Sequence, residues 1–435
     1  MAKDSNTKFE FINDSDYAER AILIGVERPN SEWSIDSSLE ELARLAETAG
    51  AQVVATTYQR LSSLNPRTFI GSGKAEEVAD MCRRFAADIV IFDDELSPSQ
   101  QSNLEKIVGK DIKVIDRTAL ILDIFALHAT SKEGTLQVKL AQNEYLYPRL
   151  RGMWAHLASN RMGGGVGSRF GEGESQLEVD RRLIRKRIHS IKTELADISQ
   201  NRQLQREKRY GSGMFKVALA GYTNAGKSSL LNTLTNADIL SYDKLFATLD
   251  STTRKLVLPE GREITLTDTV GFIQKLPTTL IEAFKSTLDE INGADLILHV
   301  IDCSDENFLD QIDTVNMTLE QIGAETIPRI EVFNKIDKLT ESEIEALSQR
   351  FPEALLISSL EKIGLDELIK RISLVASSKE ILLSVEIPYT EGSLVSLAHR
   401  KAQILNENYT EKGTMLTLRI SPAFLPQFKP YEIKK

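Results

Sequence analysis

The twenty residues from Phe215, FKVALAGYTNAGKSSLLNTL, constrain this chain more than any other stretch. An apolar run of strand character leads into Gly221-Tyr222-Thr223-Asn224-Ala225-Gly226-Lys227-Ser228, and Ser229 opens a run with helical spacing. Glycines at the two ends of such a loop let backbone N–H groups turn onto phosphate oxygens, and the helix N-terminus adds its partial positive charge. Lys227 is then expected to reach the β- and γ-phosphates, and the Ser228 hydroxyl to ligate Mg²⁺. A strand, this loop and a helix in that order imply a parallel α/β domain around a nucleotide.

Three further motifs narrow the nucleotide. ITLTDTVGF ends an apolar strand at Asp268-Thr-Val-Gly271, where Asp268 can hold the Mg²⁺ shell and the Gly271 N–H can sense the γ-phosphate. IEVFNKID ends another strand at Asn334-Lys335-Ile336-Asp337. A carboxylate at Asp337 accepts both the N1–H and the 2-amino group of guanine, whereas adenine would leave it unpaired. The Lys335 stem can lie along the base plane, and Ser358 and Ser359 of ISSLEKIG can back it. LDSTTRK supplies a switch threonine, with Thr253 favoured over Thr252 as a Mg²⁺ ligand. Together the four predict a GTP-binding hydrolase, with Lys227, Thr253 and Gly271 as its catalytic groups.

At 435 residues the chain exceeds one hydrophobic core. With 41% hydrophobic and 27% charged residues it reads as globular, and its longest apolar runs, such as LILHVI, are far short of a membrane span. The polar, acidic N-terminus has no signal-peptide core, so a cytoplasmic setting and no membrane span are expected. Two cysteines and five scattered histidines suggest neither a disulfide framework nor a metal cluster. The net charge of −10 is unevenly spread: residues 131–210 hold 16 Lys+Arg against 9 Asp+Glu, while both flanks are acidic. A basic segment in an acidic protein most commonly meets phosphate backbones.

The expected architecture is α/β in four parts. Residues 1–130 alternate apolar runs (21–26, 51–57, 88–92, 112–115) with helical patterns, predicting a small parallel sheet. Within it Ser97 caps a helix whose first turn holds Pro98. Residues 131–210 predict a basic antiparallel helical arm, interrupted at Pro148. Its second helix carries a heptad seam of Ile184, Ile188, Ile191, Leu195 and Ile198, and such an arm reaches about 40 Å. Six glycines between positions 163 and 173 form its tip and fit no phosphate-loop pattern. Residues 211–377 form the P-loop GTPase domain, and 378–435 a small C-terminal α/β domain with strands near ILLSVEIP and TMLTLRI.

The chain also resembles the HflX family of ribosome-associated GTPases, through FIGSGKAEEV, FDDELSPSQQSNLE, VIDRTALILDIFA, EGTLQVKLAQNEYLYPRL, GYTNAGKSSLLNTL, FATLDSTTR and DTVGFIQKLPTTLIEAFKSTL. The resemblance implies that it binds the large ribosomal subunit and its rRNA in the GTP state. It also implies an arm directed at the peptidyl-transferase region, and splitting or rescue of stalled ribosomes under stress. The arm then becomes an RNA finger, with Arg161 and Arg169 in the tip and Arg149, Arg151, Arg181, Arg182, Arg185 and Lys186 as phosphate anchors.

Where the family shows Arg-Gly-Pro-Gly-Glu-Thr, this chain reads RFGEGES, and Ser251 stands where the family has Pro. Phe272 occupies the position of a water-orienting Gln, so slow intrinsic hydrolysis accelerated by the ribosome is expected. Gln274 is an alternative positioner. Asn224 sits where potassium-activated GTPases place a ligand, which makes K⁺ a candidate cofactor beside Mg²⁺. FIGSGKAEEV lacks the spacing of a second nucleotide loop, although the resemblance leaves room for ATP there. A monomer is expected. The rival reading is an RNA-binding GTP switch or RNA chaperone that does not split ribosomes.

Overall fold

The computed structural model describes residues 18–29, 33–109, 111–160, 170–210, 214–235, 245–246, 251–275, 277, 280 and 285–433, with side chains undescribed at 151–160, 170–177, 201–210 and 285–287. Three sheets organise it. The first has four parallel strands: β1 (Arg20–Glu27), β2 (Gln52–Arg60), β3 (Ile89–Phe92) and β4 (Lys113–Asp116), in the order β2-β1-β3-β4. β3 is buried at all four positions, as an inner parallel strand covered on both faces must be.

Crossover helices α1 (Ile35–Thr48), α2 (Ser72–Phe85) and α3 (Pro98–Val108) connect the strands. Ser97 and Gln100 form a reciprocal capping box at the start of α3, with Pro98 in its first turn as expected. α4 (Arg117–His128) follows β4 directly, capped by Asp116. Beneath it Arg117, 1% exposed, pairs with Glu41 and, at 2.7 Å, with Asp93.

α5 (Lys132–Asn160) and α6 (Phe170–Tyr210) are the two long helices of the expected arm. Cross-links run antiparallel: Lys132 to Glu194 at 2.6 Å, Lys192 to Glu144 at 2.8 Å, and Arg185 Nε to the Tyr147 hydroxyl at 2.5 Å. Ile191 is buried and the other four seam residues are half-buried. The expected interruption at Pro148 is absent, and α5 runs straight through it. A proline removes one N–H bond, but neighbours on both sides are anchored: Tyr145 donates to Asp116 at 2.9 Å and Arg149 to the Leu96 carbonyl at 2.6 Å.

The second sheet has six strands: β5 (Phe215–Gly221), β6 (Thr252–Val257), β7 (Glu263–Asp268), β8 (Leu296–Asp302), β9 (Arg329–Asn334) and β10 (Leu355–Leu356). Their order is β10-β9-β8-β5-β7-β6, parallel except for β6. Around them lie α7 (Lys227–Thr235), α8 (Lys285–Asn292), α9 (Phe308–Gln321), α10 (Glu341–Arg350) and α11 (Leu365–Ser378). Leu219, Leu231, Leu266, Leu298, Val332 and Leu368 are fully buried in the core. The third sheet is antiparallel, β11 (Ile381–Pro388), β13 (Gly413–Ile420) and β12 (Ala402–Tyr409) in that order, with α12 (Gly392–Lys401) and α13 (Leu425–Phe428) beside it.

By packing, the chain forms two compact bodies. Residues 1–197 with 243–249 and 274–285 make the first, and 198–242, 250–273 and 286–435 the second. The described residues 245–246, 274, 275, 277 and 280, which lie inside the nucleotide domain in sequence, thus belong to the first body. There Phe246 meets Phe125 edge to face, and Lys275 pairs with Asp93 and, at 3.2 Å, with Asp94.

His299 lies mid-β8, 2% exposed, and burial lowers its pKa to about 3. Its folded pKa is below the unfolded one. Between roughly pH 6.5 and 3 the unfolded chain therefore binds a proton the fold refuses, and stability falls by about 1.4 kcal/mol per pH unit. From pH 7 to 5, His299→Gln should lose about 2 kcal/mol less stability than wild type in urea titrations. Equal acid sensitivity in both proteins would exclude His299 as the cause.

Candidate nucleotide site

The loop between β5 and α7 is built as its sequence implies. Tyr222, Thr223 and Ala225 are buried, and Asn224 is exposed with φ of 60°. Gly226 has φ of 92°, and a Cβ there would collide with the Asn334 amide. Only glycine meets both demands. Lys227 is the first residue of α7 and only 6% exposed, with its ammonium donating to the carbonyls of Gly221 at 3.1 Å and Tyr222 at 2.8 Å. Burial lowers its pKa to about 8.

The D-x-x-G turn lies against this loop. Gly271 approaches so closely that a Cβ would sit 2.9 Å from Thr223 Cα and 3.1 Å from Lys227 Nζ. Phe272 N donates to the Gly221 carbonyl at 3.1 Å, and Thr223 N donates to the Phe272 carbonyl at 2.8 Å. The Phe272 ring is 1% exposed, so the side chain at the water-orienting position belongs to the core. Gln274, the alternative positioner, is buried beside Ser38 in the first body.

Ser228 Oγ donates to Asp268 Oδ2 at 2.6 Å. A hydroxyl and a carboxylate, both hard oxygen donors, suit Mg²⁺, which binds few protein oxygens and completes its shell with phosphate and water. The chemistry of the pair therefore fits the expected ion. Thr253 is not brought to it: it lies on β6, its hydroxyl bonded to Thr267 at 2.9 Å. Among the described residues no group of three His, Cys, Asp or Glu could hold a metal.

The residues expected to read the base gather after the ends of β9 and β10. Asn334, fully buried, donates Nδ2 to the Ala225 carbonyl at 2.9 Å and accepts Ser359 N on Oδ1 at 2.9 Å. It thereby fastens the phosphate loop to the serine loop. Asp337 is exposed and accepts Ser358 Oγ at 2.5 Å, leaving its other oxygen open to a base. Ser229 is the third residue of α7, and its carbonyl accepts the Thr233 hydroxyl, which also reaches the Ser359 carbonyl at 3.0 Å. Sequence reading missed Asp302, which ends β8 and holds the Lys335 ammonium at 2.6 Å. Its only signal was an acidic residue at a strand end.

The proposed RNA contacts divide three ways. Arg149 is corrected: it is 7% exposed, stacked 3.5 Å from the Tyr145 ring centroid and bonded to Leu96, Gln101 and Asp116. A guanidinium so enclosed cannot anchor an external phosphate. Arg182, Arg185 and Lys186 are exposed on α6 with His189 along one open face, and half-buried Arg181 lies 5.9 Å from the Tyr147 ring centroid. Arg161, Arg169 and the Arg151 side chain lie outside the described residues.

Comparison with known proteins covers most of the chain. Three family models match: "GTP-binding GTPase N-terminal" over residues 36–126, "GTP-binding GTPase Middle Region" over 128–209 and "50S ribosome-binding GTPase" over 216–335. The GTPase HflX of Caldanaerobacter subterraneus subsp. tengcongensis is 46% identical over 93% of this chain and 91% of its own length. That of Lacrimispora saccharolytica is 45% identical over 93% and 94% respectively, and that of Escherichia coli 39% over 92% and 93%.

Proposed function

The chain belongs to the GTPase HflX family, and we propose that it hydrolyses GTP in response to the large ribosomal subunit, which it engages through its basic helical arm. The observation that carries the nucleotide half is the Asp337 carboxylate, exposed and backed by Ser358 in the short helix after β9, in the same domain as the buried Lys227 that begins α7. The ribosomal half is supported by the match to the 50S ribosome-binding GTPase model and by the exposed cationic run Arg182, Arg185 and Lys186.

In this reading the chain's own groups position more than they react. The phosphate-loop N–H groups and Lys227 hold the β- and γ-phosphates, and Gly271 N–H meets the γ-phosphate. Ser228 and Asp268 hold Mg²⁺, which neutralises charge on the transferring phosphoryl group when bound. Thr253 is the switch ligand and leaves Thr267 to serve. Phe272 cannot orient water, and that is why hydrolysis is slow until the subunit orders the switch segments. Splitting or rescue of stalled ribosomes under stress is the cellular role this coupling suits.

Sedimentation tests the partner. With a non-hydrolysable GTP analogue the protein should travel with large subunits and deplete intact ribosomes, and with GDP it should stay at the top of the gradient. Binding without loss of intact ribosomes would favour an RNA-binding switch. No binding with any nucleotide would refute the ribosomal half.

A further inference from the structure

Both oxygens of Asp302 are committed. Oδ1 accepts Ser304 N at 3.0 Å and Ser304 Oγ at 2.6 Å, and Oδ2 accepts Lys335 Nζ at 2.6 Å. The side chains of the pair are 15% and 18% exposed, so water screens them little. The next residue continues the grip: Cys303 donates its N–H and its Sγ to the Asn334 carbonyl, at 3.2 and 2.9 Å. Lys335 itself takes a left-handed backbone, φ 69°, which turns the chain into the short helix bearing Asp337. The end of β8 therefore holds Asn334 and Lys335, three and two positions before the proposed base-reading carboxylate.

This matters because a lysine beside that carboxylate is a hazard. Asp337 has to offer two acceptor positions to guanine, and Ser358 already occupies one of its oxygens. An ammonium released two residues away on the same turn would pair with the remaining oxygen and compete with the base.

We propose that Asp302 is a positioning residue for guanine recognition: it draws the Lys335 ammonium away from Asp337, laying the lysine stem along the base and leaving the carboxylate open. The proposal rests on the nucleotide reading above. It assigns the pair a specificity role, which a purely structural ion pair would not have.

The test compares GDP with IDP, which lacks the 2-amino group and so uses one Asp337 acceptor fewer. Fluorescent mant-GDP and mant-IDP are titrated against full-length wild type, Asp302→Asn, Lys335→Ala and the double variant. Asp302→Asn should weaken GDP about tenfold and narrow the GDP:IDP ratio, because Lys335 now competes at Asp337. Lys335→Ala should weaken both nucleotides and keep the ratio. Adding Lys335→Ala to Asp302→Asn should restore the ratio, which no general loss of structure would do. If Asp302→Asn does not fold, Asp302→Ser takes its place in the same series. An unchanged ratio in the Asp302 variant, or a narrowed ratio that Lys335→Ala fails to restore, overturns the proposal alone. Wild type without a preference for GDP over IDP would overturn the nucleotide reading and the proposal with it.

Discussion

Lys227→Met is expected to lower kcat/KM for GTP by about a thousandfold while leaving the fold at least as stable as wild type. The two effects have one cause. An ammonium 6% exposed with its pKa pulled to about 8 is held against its own desolvation, a cost of about 3 kcal/mol relative to the unfolded lysine. Methionine removes that cost. It also orphans the Gly221 and Tyr222 carbonyls, at about 1 kcal/mol each, so a net gain of about 1 kcal/mol remains.

The pH dependence follows. The folded pKa lies below the unfolded one, so the unfolded chain binds more protons between about pH 8 and 10.5, and wild-type stability gains a rising contribution across that window. Lys227→Met should lack this contribution in denaturation series at pH 7.5 and 9.5. A variant that unfolds more easily than wild type, or retains turnover, contradicts the account.

Asp337→Asn is expected to exchange the base preference. A carboxylate presents only acceptors, which match the N1–H and 2-amino donors of guanine. A carboxamide in its place turns a donor toward one of them, and a site built for hydrogen bonds penalises such a mismatch heavily. GDP affinity should fall on the order of 10³-fold. XDP carries a carbonyl where guanine has its amino group, so its affinity should rise until it is the better ligand. Asp337 is exposed, so the exchange should leave the thermal midpoint within a degree or two of wild type. A variant with the same order of base preference would show that Asp337 does not read the base.

The parts legible from sequence were those whose cause is local. The phosphate loop needs adjacent residues in fixed order, and β1 and β3 read as apolar runs because inner parallel strands are covered on both faces. β12 (Ala402–Tyr409) escaped notice because it is a polar edge strand with a bulge near Ile404 and Asn406. α4 (Arg117–His128) is apolar nearly all round and shows little amphipathic period.

What sequence could not supply was long-range pairing. Arg149 read as a surface cation in a basic segment, yet its partners Leu96 and Asp116 lie 53 and 33 positions away. Asp302 is equally remote from Lys335, 33 positions along the chain. Phe272 shows the opposite case. Its position alone announced that no side chain there could orient water, and burial against the loop backbone gives that expectation its physical form.

The most direct measurement is multiple-turnover phosphate release from GTP by purified protein, alone and with large ribosomal subunits. The account predicts slow release alone and an acceleration of about a hundredfold or more with subunits, lost on high-salt wash conditions that screen the arm. Equal rates with and without subunits would contradict it.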